Sequence, residues 1–105
     1  MAEITRILYI DVDNQVEVTL KVNGVALTTA STFLVDVKTT SDDASVSGAS
    51  ATWSHVAAGL WRVTIPSTAS LALATSYYIE ITFADASGNN DYRRIPAVAK
   101  YRGVR

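Results

Sequence analysis

Hydrophobic and polar residues alternate with a period of two along much of this chain. In the segment QVEVTLKV the apolar positions share one side of the backbone and polar residues fill the other: Val16, Val18, Leu20 and Val22. The same alternation recurs in residues 32–38, 60–65 and 77–83. A period of two in segments rich in β-branched and aromatic residues is typical of strands with one buried face. These four segments therefore predict half-buried antiparallel strands.

Residues that favour tight turns lie between the predicted strands. Asn23-Gly24 is the dipeptide preferred in a type I′ hairpin, because both central positions of that turn require positive φ. Residues 57–59 connect two further strands, and Gly59 suits the left-handed position of a three-residue loop. Residues 86–91 form another cluster of turn-favouring types. These positions predict short connections between antiparallel neighbours.

Two segments are less regular. Residues 39–50 are small and polar, which predicts a loop with a short strand inside it, and residues 67–76 carry enough Ala and Leu for one helical turn. No segment keeps a helical period for three turns. The sequence therefore predicts one all-β domain, residues 1–105, with seven or eight strands in an antiparallel two-sheet sandwich.

Composition narrows the classes of protein to which this chain can belong. With 105 residues, of which 49% are hydrophobic and 18% charged, the chain is long enough for one core and too apolar for general disorder. The absence of cysteine excludes disulfides and thiolate metal sites, and a net charge of −1 argues against broad nucleic-acid binding. The sequence lacks the features of a signal peptide and of a membrane span. We expect a soluble protein that is made in the cytoplasm.

Candidate catalytic residues are sparse. His55 is the single histidine, and it falls opposite Trp61 when the two predicted strands are paired across the turn, which favours a structural role. No G-x-S-x-G motif accompanies it. Asp42 and Asp43 are neighbours in a serine-rich loop, where their side chains diverge and solvation explains them best. We therefore predict no enzyme activity and no cofactor.

Two further groups have a binding interpretation and a structural one. Asp11, Asp13 and Asn14 offer oxygen ligands of the kind that Ca²⁺ prefers, but the glycine and distal glutamate of an EF-hand are missing, so a turn is favoured. Trp53 and Trp61 suggest a carbohydrate-binding platform, although facing positions in a hairpin favour packing in the core.

Basic residues are concentrated at the C-terminal end of the sequence. Five of the nine Lys and Arg residues lie in residues 93–105, whereas all ten acidic residues precede residue 92. Tyr and Arg are enriched at the centres of protein interfaces. The segment 92–105 is therefore a candidate basic contact strand or tail. Its predicted contact residues are Tyr92, Arg93, Arg94, Lys100, Tyr101, Arg102 and Arg105.

The segment also has a simpler interpretation. Charged residues on an edge strand discourage aggregation between sheets, and Pro96 favours edge placement because proline cannot donate to a central ladder. In contrast, an acidic body with a basic end suits packing between copies, in which the tail of one subunit meets the carboxylates of another. The sequence leaves both interpretations open.

Three segments carry motifs that recur in a known group of proteins: ITRILYIDVDNQVEVTL, GLWRVTIPS with LALATSYYIEITFAD, and YRRIPAVAKYRG. The positions that match are Gly59, Trp61, Val63, Ile65 and Pro66, then Tyr78 and Glu80 with their neighbours, and finally Arg93, Arg94, Pro96, Tyr101, Arg102 and Gly103. With these motifs the chain resembles small immunoglobulin-like structural proteins of tailed bacteriophages and prophages. The resemblance covers most of the chain, and its motifs are structural.

The resemblance implies an immunoglobulin-like fold and a place in the virion. It implies a capsid decoration protein that contacts the major capsid protein or other virion proteins and forms oligomers. From the charge balance and the lack of a membrane span we expect no nucleic-acid and no membrane partner. A head–tail joining protein or a tail or baseplate component is the first alternative. An immunoglobulin-like module that binds carbohydrate or a host surface is the second. These statements are expectations about function.

Overall fold

The computed structural model describes residues 5–101, and this part of the chain contains nine β-strands and no helix. The strands are β1 (Arg6–Tyr9), β2 (Asn14–Thr19), β3 (Lys21–Val22), β4 (Val25–Ala26), β5 (Thr32–Thr39), β6 (Thr52–Ala57), β7 (Leu60–Ile65), β8 (Ser76–Ala84) and β9 (Asn90–Lys100). Within the same residues, no helix has the length and apolar character needed to cross a bilayer. The prediction of an all-β protein is confirmed.

The strands form two larger sheets and one small hairpin. The four-stranded sheet has the order β1-β9-β8-β5, and the three-stranded sheet has the order β2-β7-β6. Among residues 5–101, strands β3 and β4 pair only with each other. All neighbours are antiparallel except β1 and β9, which run parallel. Sequence-adjacent strands therefore often lie in different sheets.

Both larger sheets contribute side chains to one hydrophobic core. The alternation predicts which residues point inward: in β7, for example, Trp61, Val63 and Ile65 are buried while the residues between them are half-exposed. The buried set includes Val16 and Val18 of β2, Ile79, Ile81 and Phe83 of β8, and Ile95, Ala97 and Ala99 of β9. The four alternating segments of the sequence correspond to β2 with β3, β5, β7 and β8. Their prediction as half-buried strands is confirmed.

Two buried aromatic side chains satisfy their polar atoms within this core. The Trp61 Nε1–H donates to the Leu27 carbonyl at 2.8 Å, and the Tyr77 hydroxyl accepts from the Ala72 amide at 2.7 Å. Buried polar groups are costly unless they are paired. These two bonds therefore fasten the connections before β5 and β8 to the core.

The interpretation of the closing segment as a sheet edge, one of the two left open by the sequence, is wrong for residues 90–100. Strand β9 lies between β1 and β8 and pairs with both. The Ala99 amide donates to Thr75 beside β8, whereas the Lys100 carbonyl accepts from Ile10 after β1. Because successive residues of a strand face opposite neighbours, even-numbered residues of β9 face β1. Pro96 is one of these even-numbered residues, so its missing N–H removes no hydrogen bond to β8. Described pairing with β1 begins one residue later, at Ala97.

The connections differ in part from those predicted. Asn23 and Gly24 both have positive φ, 52° and 78°, as the type I′ hairpin requires. In residues 57–59, however, the left-handed residue is Ala58, with φ of 45°, and not Gly59. Residues 67–76 form turns without the expected helical turn, and the short strand expected within 39–50 is a single bridge, Lys38 to Ser45.

Gly59 is required by close packing. A Cβ atom at this position would lie 2.7 Å from the Leu20 carbonyl oxygen and 3.2 Å from the Ala26 Cβ. The Gly59 carbonyl accepts from the Leu20 amide at 2.8 Å, so the backbone cannot move away without losing that bond. Glycine therefore allows the β6–β7 turn to pack against the β3–β4 hairpin.

We expect Gly59→Ala to lower the free energy of unfolding by about 1–3 kcal/mol, because overpacking forces the backbone to shift. Urea unfolding monitored by circular dichroism measures the change. The neighbouring change Ala58→Gly is the control, with an expected effect below about 1 kcal/mol, because glycine tolerates positive φ. If the two substitutions lowered the free energy of unfolding equally, close packing around Gly59 would not be the reason that glycine is required there.

Candidate functional site

The exposed face of the four-stranded sheet collects three of the seven predicted contact residues. Tyr92, Arg94 and Lys100 are even-numbered residues of β9, whereas its odd-numbered residues from 95 to 99 are buried. Tyr92 and Lys100 are exposed, and Tyr92 keeps 50% of its surface accessible. We call this exposed side the outer face. It comprises Ile7 and Tyr9 of β1, Leu34, Asp36 and Lys38 of β5, Tyr78, Glu80 and Thr82 of β8, and Tyr92, Arg94, Pro96, Val98 and Lys100 of β9.

The other four predicted contact residues do not join this set. Arg93 points to the opposite side of the sheet, where its guanidinium donates to the Thr19 carbonyl of β2. Tyr101 follows β9 and is 38% exposed. Arg102 and Arg105 lie outside the described residues. Within the described part of the predicted contact segment, the pleat of β9 therefore places Arg93 and Arg94 on opposite sides of the sheet.

A largely buried carboxylate organises the outer face. Glu80 is only 8% exposed, and its carboxylate accepts from the Tyr92 hydroxyl at 3.1 Å and from Arg94. The Lys38 ammonium lies 3.2 Å from the second carboxylate oxygen. Strand register produces this arrangement, because Asp36, Glu80 and Arg94 lie side by side on β5, β8 and β9. Each partner therefore comes from a strand next to β8.

The pKa values on the outer face follow from these contacts. Burial raises the pKa of Glu80, but hydrogen bonds from Lys38, Arg94 and Tyr92 outweigh burial, so the pKa of this carboxyl lies below its ordinary value. The hydrogen bond and charge of Glu80 raise the pKa of Lys38. Both groups therefore remain charged at neutral pH, and the centre of the outer face holds fixed charges of both signs.

Aromatic rings hold the Arg94 side chain in place. Its guanidinium carbon lies 4.6 Å from the centre of the Tyr78 ring and 6.0 Å from that of Tyr92. Asp43, in the loop after β5, lies 3.5 Å from the same guanidinium and 4.0 Å from the Lys38 ammonium. Cation–π contacts and a charged partner act together here. Arg94 is therefore a positioned group rather than a mobile surface cation.

Apolar side chains extend the outer face on both sides of this charged centre. Ile7 on β1 is 42% exposed, and Leu34 on β5 is 61% exposed. A shallow depression next to Leu34 is lined by Asp36, Lys38 and Glu80 among others. Aromatic, aliphatic and paired charged groups on one rigid sheet form the kind of surface that binds another protein.

The tryptophans occupy different environments. Trp61 is 6% exposed, whereas Trp53 is 41% exposed. The Phe33 ring lies between them, 4.9 Å from Trp61 and 5.2 Å from Trp53, centre to centre. His55 pairs opposite Trp61 as predicted, with its ring 5.0 Å away. The expectation that both tryptophans are core residues is therefore wrong for Trp53, which faces Val63 in the register.

The aspartates near residue 12 form a turn. The Asn14 side chain accepts from the Tyr9 amide at 2.8 Å and donates to the Tyr9 carbonyl at 2.9 Å. The Asp13 carboxylate accepts from the Ser67 amide at 2.7 Å. These oxygens are engaged by backbone groups. Among residues 5–101 no three His, Asp or Glu side chains cluster in a way that would hold a metal ion.

Sequence reasoning missed the residues that position Arg94. Glu80, Lys38 and Asp43 come from separate parts of the chain and share no local motif. One signal was present: Glu80 interrupts the apolar segment 77–83 with a charge on the polar side of the strand. Its partners follow only from the register of three strands.

No protein-family model, curated protein or solved structure matches this chain.

We expect Glu80→Gln to reduce the acid sensitivity of the protein. A carboxyl whose pKa is lower when folded than its ordinary value of 4.5 adds stability above that pH, and this contribution is lost as pH falls through the folded pKa. Wild type should therefore lose more free energy of unfolding between pH 6 and pH 3 than the variant. At pH 7 the variant should be less stable, because it loses the ion pairs of Glu80 with Lys38 and Arg94. The loss should be only about 1 kcal/mol, because both partners are partly exposed and solvent screens their charges.

Urea unfolding at several pH values measures this difference. Glu17→Gln is a matched control, since Glu17 forms an exposed ion pair with Arg62 at 3.0 Å, and such pairs contribute about 0–1 kcal/mol. An unchanged slope of stability against pH in Glu80→Gln would contradict the role given to Glu80.

Proposed function

We propose that this chain is a non-enzymatic assembly protein that binds other proteins through the outer face. The observation that supports this most is the fixed position of Arg94, held by Glu80 and stacked against Tyr78 beside exposed Tyr92. A side chain that is already ordered loses little conformational entropy on binding. Aromatic and Arg residues in such a setting are typical centres of protein interfaces.

We further propose that the domain is an immunoglobulin-like two-sheet sandwich. Its two larger sheets share one core, and their orders, β5-β8-β9 and β2-β7-β6, correspond to the C-F-G and B-E-D strands of such domains. The Tyr77 hydroxyl, near the start of β8, bonds to the backbone at Ala72, in the manner of the tyrosine corner of these folds. Parallel pairing of β1 with β9 is the added feature.

The place of action that we propose is a phage particle, most simply the capsid shell as a decoration protein. The resemblance of the sequence to phage structural proteins supports this proposal, and the outer face supplies a surface for repeated contacts. Lys100 is exposed and forms no ion pair with the described residues, so it suits an acidic partner surface. A joining, tail or baseplate role would use the same surface on a different virion protein.

We expect the purified chain to sediment with empty shells of the phage that encodes it, and to do so less at high salt. The double change Tyr92→Ala with Lys100→Glu should weaken this binding at least about tenfold, because it removes an interface aromatic group and reverses a charge. Both side chains are exposed, so the fold should be retained. Circular dichroism checks that condition.

Lys21→Glu is the matched control, because Lys21 is also exposed but lies on β3, away from the outer face. It makes the same change of charge and should leave shell binding within about twofold of wild type. If the chain sediments with no shell, or if both variants weaken binding equally, the outer face is not the contact.

One observation favours a second function, the binding of carbohydrate. Trp53 stacks on Phe33 and remains 41% exposed, which suits packing against a sugar ring. Titration with glycans would then quench Trp53 fluorescence in wild type and not in Trp53→Phe. Absence of quenching with cell-surface glycans of the host would remove this alternative.

A further inference from the structure

The free edges of the two larger sheets are treated differently in this fold. An edge strand presents backbone N–H and C=O groups that pair readily with another strand unless something covers them. Four strands occupy such edges: β1 and β5 in one sheet, β2 and β6 in the other. On three of these edges, hydrogen bonds from other parts of the chain occupy some of the outward backbone groups.

The side-chain amide of Asn14 covers the outward backbone groups of Tyr9 at the edge of β1. It accepts a hydrogen bond from the Tyr9 N–H and donates one to the Tyr9 carbonyl. The loop after β5 closes the end of that strand: the Val46 amide donates to Val37 at 2.8 Å, and the Thr39 amide donates to Ala44 at 3.0 Å. These hydrogen bonds satisfy backbone groups that a neighbouring strand would otherwise pair with.

The edge of β2 is covered in the same way by a side chain. The Leu20 amide, just after β2, bonds to Gly59 beside β7, so even-numbered residues of this segment face β7 and Thr19 faces outward. The Arg93 guanidinium donates to that outward Thr19 carbonyl. Arg93 thus reaches from the four-stranded sheet to close an edge of the other sheet.

Strand β6 is the exception. All six of its residues are exposed, and it contains no Lys, Arg, Asp, Glu or proline, which are devices that normally protect an edge. Its register with β7 shifts between His55 and Ala57, so a bulge interrupts the end of the strand and residues 52–55 form its regular part. Within residues 5–101 its backbone bonds only to β7. Trp53 and Val56 add exposed apolar surface, 41% and 42% accessible. Among the described residues, no hydrogen bond from another part of the chain covers the outward backbone groups of residues 52–55, so this part of β6 is open to pairing with another strand.

The register identifies which backbone groups are unpaired. Because Gly59 faces β2, the even-numbered residues of β7 face β6, and they pair with Thr52 and Ser54. The backbone groups of Trp53 and His55 therefore point away from β7. Each β6 offers two N–H and two C=O groups, separated by a single residue, Ser54.

We propose that β6 pairs antiparallel with β6 of a second copy of this chain, across a twofold axis at Ser54. In that register Trp53 of each copy exchanges both backbone bonds with His55 of the other, so all the outward groups of both residues are satisfied. Because β6 contains no Lys, Arg, Asp or Glu, its pairing with a second copy opposes no permanently charged side chains. The result is a continuous six-stranded sheet. This inference is independent of the contacts proposed for the outer face, which lies on the other sheet.

We expect the mass measured by light scattering to rise with concentration from that of one chain to that of two. Because backbone bonds and apolar contacts hold this pair, high salt should not dissociate it, unlike binding through the outer face. A chain that remains monomeric at every concentration up to the millimolar range would overturn the proposal, whatever the outcome of the shell-binding experiment.

Ser54→Lys should raise the dissociation constant of the pair at least about tenfold, since it places two like charges directly opposite each other. The control is Thr52→Lys, on the same face of the same strand. In the proposed register the two copies of position 52 lie about 13 Å apart along the strands, beyond a Debye length, so the expected effect is below about threefold. A dimer that survives Ser54→Lys, or responds equally to both changes, would place the interface elsewhere.

Cysteine cross-linking tests the axis without adding charge. The chain contains no cysteine, so a single Ser54→Cys change gives one thiol in each copy. Opposed residues of an antiparallel pair lie close enough for a disulfide. Oxidation should convert Ser54→Cys to a covalent dimer, while Thr52→Cys should remain mostly uncross-linked. Equal cross-linking of the two variants would show random collision and contradict the register.

Discussion

Strand β9 pairs with β8 on one side and with β1 on the other, and the rest of the four-stranded sheet depends on this double pairing. It brings Arg94 beside Glu80 and directs Arg93 towards β2. It also buries Ile95, Ala97 and Ala99 in the common core. The pleat of this central strand therefore distributes Arg93, Arg94 and Lys100, the basic residues of β9, over the two sides of the sheet.

The charges on the outer face illustrate how burial and pairing oppose each other. Removing Glu80 from water disfavours its charged form, but donors on the two flanking strands restore that form. The Glu80 carboxylate in turn holds Lys38 and Arg94 in ion pairs, which partly neutralise the positive charge of the face. Recognition at this surface would depend on shape and on the aromatic and aliphatic groups around the charges. Lys100 is the basic residue of the face best placed for steering.

The sequence was sufficient for features that are local. The period of two identified β5, β7 and β8, and the Asn-Gly pair identified its hairpin, because strand faces and turn dihedrals depend on neighbouring residues. Features that depend on pairing were not accessible. The central position of β9 and the partners of Glu80 need the register of strands far apart in sequence. The sequence indicated that Gly59 lies in a turn. It could not indicate that the carbonyl oxygen of Leu20, far away in the chain, leaves no room for a side chain at Gly59.

The parallel pairing of β1 with β9 has a consequence for folding during synthesis. Arg6 to Tyr9 must wait until Ala97 to Lys100 have left the ribosome before either can complete its ladder. Until then β8 has only β5 beside it in that sheet, and the inner side of the sheet remains incomplete. Contacts between such distant segments slow folding, because the intervening chain must be ordered first. Residues 6–100 must therefore all have emerged before the core can close, and this interval is when the apolar strands are most exposed to chaperones and to neighbouring chains.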